Sequence, residues 1–224
     1  MRFQVVASDF DGTLADDGRV ESNTLAALTS LRETGRKLIL ITGRELRSVR
    51  EVFPQLHRFD LVVAENGALL YRPSTAEERP LCQLPPARFP ERLHKLGVNP
   101  ISIGRGIIAT VRPHEATVQQ VIRELGLDLQ IIFNREAVMI LPAGMDKGTG
   151  LTAALAELDV PLPAVVGIGD AENDHAFLRL CGFSVAVANA LPSLKERVHL
   201  VTAGDSGAGV SEVLQKLIAT DNLP

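Results

Sequence analysis

The chain of 224 residues has no tryptophan, one tyrosine and only 4% aromatic residues in all. Proteins that stack nucleic-acid bases do so on aromatic side chains, so this poverty argues against such a platform. A run of lysines and arginines is also missing. With 23 basic against 27 acidic residues the formal net charge is −4, whereas a nucleic-acid-binding face needs a basic stripe. The two cysteines, Cys82 and Cys181, stand alone with no Cys-x-x-Cys spacing. They read as free thiols of a reducing compartment rather than as a disulfide frame or a zinc site. No apolar run approaches the roughly 18 residues of a membrane-spanning helix. Met1-Arg2-Phe3 leads directly into a strand without the pattern of a signal peptide. These absences predict a soluble, cytoplasmic protein with neither nucleic acid nor membrane as partner.

What the chain does have is 46% hydrophobic residues, enough to bury a full core. Strand-length apolar runs alternate with helical periodicity. Phe3–Ser8, Lys37–Thr42 and Leu61–Ala64 read as strands, separated by helices at Ser22–Thr34 and Glu45–Phe53. The same rhythm returns after residue 145, with helix Gly148–Leu158, strands Val165–Gly169, Phe183–Val187 and His199–Thr202, a helix at Asp174–Leu180 and a last one at Val210–Ile218. Such alternation predicts an α/β fold, a parallel sheet covered on both faces. Between these halves Pro73, Pro80, Pro85 and Pro86 read as a linker. Beyond it the pattern is helix, two short strands, helix, two short strands, which predicts a small antiparallel sheet with its helices on one face. The expected division is therefore a Rossmann-like core of residues 1–80 and 145–224 and an inserted α+β domain at 81–144. The glycine-rich stretch Gly204–Gly209 reads as a loop that ends a strand.

Acids sit where strands end. Val5-Val6-Ala7-Ser8-Asp9-Phe10-Asp11-Gly12-Thr13 carries two carboxylates out of an apolar strand onto a glycine turn, and unpaired charges in such a place are costly. Thr42-Gly43-Arg44 leaves the second strand, Asp146-Lys147-Gly148 opens a helix, and Gly169-Asp170-Ala171-Glu172-Asn173-Asp174 leaves a late strand. In an open parallel sheet the ligand crevice lies outside the carboxyl ends of the strands, so these residues converge there. Hard carboxylate oxygens without soft ligands suit Mg²⁺. A lysine, a threonine hydroxyl and helix-terminal N–H groups suit a phosphate.

The four runs, in this order, resemble the four motifs of the haloacid dehalogenase-like hydrolases. Glu65-Asn66-Gly67-Ala68 is similar to a sequence of their Cof-type branch, whose αββαββ cap lies between the second and third motifs, and in size the chain resembles archaeal-type phosphoglycolate phosphatases and the sucrose- and mannosylglycerate-phosphate phosphatases. The resemblance implies a Mg²⁺-dependent phosphatase acting on a small-molecule phosphate ester, of phosphosugar or phosphoglycolate type. Asp9 would be the nucleophile that forms an aspartyl phosphate. Asp11 would protonate the leaving alcohol and then activate water. Its presence argues against a dehalogenase, whose chemistry has no alcohol to protonate. Asp9, Asp170 and the backbone carbonyl of Asp11 would hold the metal, with Asp174 as a further ligand or an orienter of its waters. Thr42, Gly43, Lys147 and Asn173 would bind the transferring phosphoryl group. Arg44, Asn66, Arg105 and Arg135 are candidate substrate contacts, and His114 and Asn134 lie at positions that could face the crevice.

Two other readings stay open at the level of sequence. A phosphomutase would share these motifs but needs a second phosphate site in the inserted domain, for which Arg105, Arg112 and Arg135 are the available cations. A non-catalytic binding protein would keep the core without turnover, although every motif residue is in place here.

Overall fold

A computed structural model describes residues 2–223; Met1 and Pro224, the outermost residues of the expected core segments, lie outside them. The chain begins with β1 (Val5–Asp9), α1 (Ser22–Glu33), β2 (Lys37–Ile41), α2 (Leu46–Val52) and β3 (Leu61–Ala64), followed by the hairpin β4 (Leu69–Arg72) and β5 (Glu77–Pro80). The middle section is α3 (Arg88–Lys95), β6 (Ser102–Ile103), β7 (Ile108–Val111), α4 (Glu115–Glu124), β8 (Leu129–Asn134) and β9 (Ala137–Pro142). It returns through α5 (Lys147–Leu158), β10 (Val165–Gly169), α6 (His175–Leu178), β11 (Phe183–Ala186), α7 (Pro192–Lys195), β12 (Leu200–Val201) and α8 (Ser206–Thr220).

The first sheet has the order β12-β11-β10-β1-β2-β3-β4-β5. β1 lies between β10 and β2, parallel to both, with Ala7 opposite Gly167 on one side and Ile39 on the other. All five of its residues are buried, as a central parallel strand covered on both faces requires. From β1 the chain steps one way to β2 and β3, and from β10 it steps the other way to β11 and β12. Right-handed crossovers therefore put α1 and α2 on one face and α6 and α7 on the other. The sequence order reverses beside β1, and the crevice of such a sheet opens at the carboxyl ends there. α1 and α8 pack closely on one another through Ala27, Leu28 and Leu31 and through Val210, Val213, Leu214 and Leu217, all buried.

The second sheet, β6-β7-β9-β8, is antiparallel throughout. Side chains alternate across a strand, and this alternation divides its apolar residues. Ile108, Val138 and Ile140 face a cluster formed with Phe89 and Leu93 of α3 and Val118 and Val121 of α4. Met139 and Leu141, one residue out of step, join Ile107 and Ala68 in a separate cluster against the first layer. The helices cover one face of this sheet, and the other face looks down on the strand ends of the first.

Three stretches depart from the sequence reading. The proline-rich stretch after Tyr71 is not wholly a linker, because β4 and β5 pair antiparallel and extend the first sheet beyond β3. Pro80 is accommodated because β5 is the edge strand, where a missing N–H costs no ladder bond. Four of the six residues of the glycine-rich stretch are helix rather than loop, since α8 starts at Ser206. A Cβ on Gly207 would stand 2.8 Å from Thr24 Oγ1, so that glycine serves the approach of α1 to α8. The expected helix at Asp174–Leu180 splits into a 3₁₀ turn at Glu172–Asp174 and the short α6.

After β3 the residues Glu65, Asn66 and Gly67 adopt φ of 54°, 53° and 107°. At Gly67 an added Cβ would sit 1.9 Å from the Asp146 carbonyl oxygen. Both the backbone and the space demand glycine there. Gly67→Ala is expected to cost about 3 kcal/mol, read in thermal denaturation as a loss of roughly 6–12 °C in Tm; an unchanged Tm would contradict this account of the turn.

Candidate active site

Each functional side chain owes its place to the end of a strand or the start of a helix. Asp9 closes β1 and is 4% exposed. The chain then turns through Gly12 at φ 80°, where a Cβ would stand 2.6 Å from Asp170 Oδ2. The Gly12 carbonyl is held by Asn189 Nδ2 (2.7 Å) and Ser206 Oγ (3.1 Å). Asp170 follows β10 and is fully buried, as is Asp174. Asp174 Oδ2 accepts the N–H groups of Asp170 (2.8 Å) and Ala171 (3.0 Å), which fixes its carboxylate beneath the strand end. Lys147 is the first residue of α5, a start fixed by a reciprocal cap in which Asp146 Oδ1 accepts from Thr149 N and Thr149 Oγ1 from Asp146 N, both at 2.9 Å.

Lys147 Nζ donates to Asp9 Oδ1 and to Asp174 Oδ1, each at 2.6 Å. Carboxylate oxygens of Asp9, Asp170 and Asp174 all lie within 4.8 Å of one another. Burial first, and then the Asp174 charge, pushes the Asp9 carboxyl well above its ordinary range, while Lys147 pulls it back. Asp170 is raised by burial and by Asp174, opposed by its hydrogen bonds from Arg135 and Thr13. Burial alone would lower Lys147; the two carboxylates outweigh it and hold the ammonium above its usual value. Three acids confined this closely against two cations, Lys147 and Arg135, leave a deficit of positive charge. The donors are oxygens only, the set that suits a hard divalent cation such as Mg²⁺ rather than a soft metal, and the residues fit that group.

Asp11 points elsewhere. Its carboxylate is held by Arg44 in a two-pronged pair, Nε to Oδ2 and Nη2 to Oδ1, both at 2.7 Å. The hydrogen bond to Asp11 raises Arg44 further. The side chain of Asp11 is thus not one of the three clustered acids. Thr42 is buried and its Oγ1 accepts the Arg44 N–H at 3.1 Å. Asn173 Nδ2 donates to Asn66 Oδ1 at 2.9 Å, and both residues are buried. From the second layer Arg135, at the β8–β9 turn with φ 52°, reaches down so that its Nη2 donates to Asp170 Oδ2 at 2.7 Å. A cavity of about 570 Å³ separates the layers, floored by Asp9, Asp11, Gly43 and Arg44 and roofed by Arg135 and Met139.

The structure therefore brings Asp9, Asp11, Gly43, Arg44 and Arg135 onto one cavity, with the buried Thr42, Lys147, Asp170 and Asp174 packed behind it, while Asn173 and Asn66 border a second cavity with Gln130 and Arg179. Asn134 also lines the cavity. Arg105 is placed apart: it pairs with Glu78 at 3.5 Å and lines a different cavity, with Glu45 and Arg50. His114 turns to the Asn99 carbonyl at 3.2 Å. Asn66 offers no exposed surface to a substrate. Three contributors were not read from the sequence. Thr13 Oγ1 donates to Asp170 Oδ1 at 3.1 Å, Met139 stands over Gly43, and the buried Glu65 accepts two amides of the β6–β7 turn. A charged residue next to four buried strand positions was the signal that Glu65 carried.

Among known proteins, a family model described as haloacid dehalogenase-like hydrolase matches residues 6–85 and 133–214. The chain is 33% identical to phosphoglycolate phosphatase 2 of Saccharolobus solfataricus, covering 96% of this chain and 92% of that one. It is 30% identical to a phosphoglycolate phosphatase of Methanothermobacter thermautotrophicus, covering 96% and 99%. In three dimensions it superposes on a haloacid dehalogenase-like hydrolase from Bacteroides thetaiotaomicron with a TM-score of 0.81 at 18% identity, covering 96% of this chain and 99% of that one. With the acid-bearing strand ends in place and these matches spanning nearly its whole length, the chain belongs to the haloacid dehalogenase-like hydrolases.

Proposed function

We propose that this phosphoric monoester hydrolase is a Mg²⁺-dependent phosphatase of small phosphorylated metabolites, phosphoglycolate foremost, working through an aspartyl phosphate on Asp9. The observation that carries the reading is the buried Asp9 carboxylate on the cavity floor, within 4.8 Å of Asp170 and Asp174 and bonded to Lys147 at 2.6 Å. Phosphoglycolate is favoured because two of the relatives bear that name and because two guanidinium groups, those of Arg44 and Arg135, line the same cavity. A substrate with a carboxylate besides its phosphate has a use for both.

In this reading residues 1–80 and 145–224 form the core and 81–144 the cap. Asp9, Asp170 and Asp174, with the Asp11 carbonyl, would hold Mg²⁺, whose charge lets a phosphate dianion approach the acids. Lys147 engages Asp9 Oδ1, which leaves Oδ2 to attack phosphorus. The new bond joins Asp9 to phosphorus as the bond to the substrate oxygen breaks, and Asp11 gives that oxygen its proton. Asp11 then takes a proton from water, whose oxygen attacks phosphorus, so that orthophosphate leaves and Asp9 is restored. Thr42, Gly43, Lys147 and Asn173 orient the phosphoryl group. Asp11 must leave the two-pronged grip of Arg44 to carry a proton, and the second anion of a substrate gives Arg44 another partner. Arg135, bonded to Asp170 here, can turn to the same anion as the cap settles and excludes water.

A mutase is less well served. Arg105 pairs with Glu78 and Arg112 with Glu115, so of the three candidate arginines Arg135 alone is left on the acid cavity.

Release of orthophosphate from phosphoglycolate, sugar phosphates and p-nitrophenyl phosphate, with and without Mg²⁺, tests the reading. Asp9→Asn is expected to lower kcat by about 10³-fold or more, and chelation of Mg²⁺ to stop turnover; activity surviving in the variant would sink the proposal. Asp11→Asn is expected to lose about 10²-fold or more in steady-state turnover of either ester, because the aspartyl phosphate is hydrolysed by the same base, while a burst of p-nitrophenol, whose release needs no proton, survives. Arg135→Met is expected to reduce kcat/KM for phosphoglycolate about tenfold or more while sparing p-nitrophenyl phosphate. Equal losses on both esters would remove Arg135 from substrate recognition.

A further inference from the structure

The strained turn that follows β3 touches two parts of the molecule at once. Glu65 and Asn66 hold left-handed backbone without being glycine, a conformation that costs of order 1–3 kcal/mol per residue and persists only where the surroundings enforce it. Glu65 faces the cap: its Oε2 accepts the N–H groups of Arg105 and Gly106, both at 2.8 Å. A Cβ on Gly104 would stand 2.6 Å from the same oxygen, so the β6–β7 turn is seated on this carboxylate as closely as glycine permits. Asn66 faces the core. Its Oδ1 accepts Asn173 Nδ2 at 2.9 Å, and its own Nδ2 is buried with no partner in the protein. Its backbone N–H donates to the Thr42 carbonyl at 3.0 Å, and that of Glu65 to the Arg44 carbonyl at 2.9 Å. Gly67 lies against the Asp146 backbone, one residue before Lys147.

We infer that Asn66 is a positioning residue for Asn173, and that the Glu65-Asn66-Gly67 turn passes the seating of the cap hairpin to the side chains that bind the phosphoryl group. The inference rests on the phosphatase reading above. An asparagine amide can present either its oxygen or its nitrogen to a ligand, and only the nitrogen suits an anion. Asn66 Oδ1 holds the Asn173 amide in place by accepting from its Nδ2, in an arrangement that leaves Asn173 Oδ1 without a partner. That nitrogen has a second hydrogen, and it sits 3.7 Å from where a Cβ on Gly43 would stand, beside a residue of the acid cavity. The unpartnered Asn66 Nδ2 adds another buried donor next to it. A shift of the cap hairpin moves the carboxylate of Glu65, the next residue is Asn66, and its Oδ1 holds Asn173. The cap thereby acts on phosphate affinity without touching phosphate.

Calorimetric titration of orthophosphate in Mg²⁺-containing buffer tests this on the whole protein and three variants. Gly104→Ala crowds Glu65 from the cap side, at a residue that lines the cavity of Arg105 and not that of Asp9. Asn66→Gly removes the side chain and keeps a residue at ease with positive φ. Each is expected to weaken orthophosphate binding about tenfold, and Gly104→Ala is expected to add nothing in the Asn66→Gly background. Unchanged binding in Gly104→Ala, or losses that multiply in the double variant, would overturn the inference. If Asn66→Gly does not fold, hydrogen exchange in the wild type decides. Saturating orthophosphate is expected to slow exchange of the Arg105 and Gly106 amides, and equal exchange with and without it would overturn the coupling. Wild-type protein that binds orthophosphate but hydrolyses no ester would defeat the phosphatase reading and leave the coupling standing. Active wild-type protein with normal binding in both single variants would do the reverse.

Discussion

One buried ammonium group sets the terms for the rest of the site. Lys147 lies between Asp9 and Asp174, itself 1% exposed, and both acids are buried. Burying one unpaired carboxylate is already costly, and three in a cluster would drive one another to protonate. Lysine at the first position of α5 is unfavourable on its own, because a helix N-terminus carries partial positive charge. The side chain is held there by the Asp146–Thr149 cap below it and the acids above it. The geometry of α5, the packing of Gly67 on its first turn and the strand ends of β1 and β10 are thus parts of one electrostatic solution. Asp9 and the cation that steadies it stand 138 residues apart in the chain.

The second layer completes the site by the simplest property of a strand. Because neighbouring residues point to opposite faces, the β7–β9 pair can give Ile108, Val138 and Ile140 to its helices and Met139 to the cavity. Arg135 escapes this alternation by sitting in the turn, and its positive φ aims a long side chain from the cap to the floor. Two guanidiniums thus stand over two acids, Arg44 on Asp11 and Arg135 on Asp170. Both pairs are made with partners that the proposed chemistry needs for other purposes.

Much of this was legible in the chain because charge at the end of an apolar strand has few explanations. Asp9, Asp170 and Lys147 each follow or precede a run of buried residues, and the parallel topology inferred from strand–helix alternation brings such positions together. The αββαββ order of the inserted section was readable from its turns. What was not readable depends on contacts far apart in sequence. Prolines suggest a linker, yet β5 tolerates Pro80 because it happens to be an edge. Glycines suggest a loop, yet Gly207 and Gly209 belong to the first turn of α8 because α1 and the preceding segment press on them. Arg105 and Arg135 occupy similar hairpin turns, and only the seating of the sheet on the core sends one to Glu78 and the other to Asp170. Glu65 looks like part of a turn signal until its amide partners 40 residues away are known.

The two ends of the large sheet have a further consequence for how copies of this protein behave together. An open sheet exposes a row of unsatisfied N–H and C=O groups at each edge, which is a template for pairing with another chain. Here one edge, β12, is only two residues long, and the other carries Glu77-Glu78-Arg79-Pro80. A short edge provides too few bonds to recruit a strand, and a charged one that ends in proline provides the wrong ones. The hairpin that displaces the expected linker therefore also terminates the sheet, closing off growth by strand addition at the one side long enough to allow it.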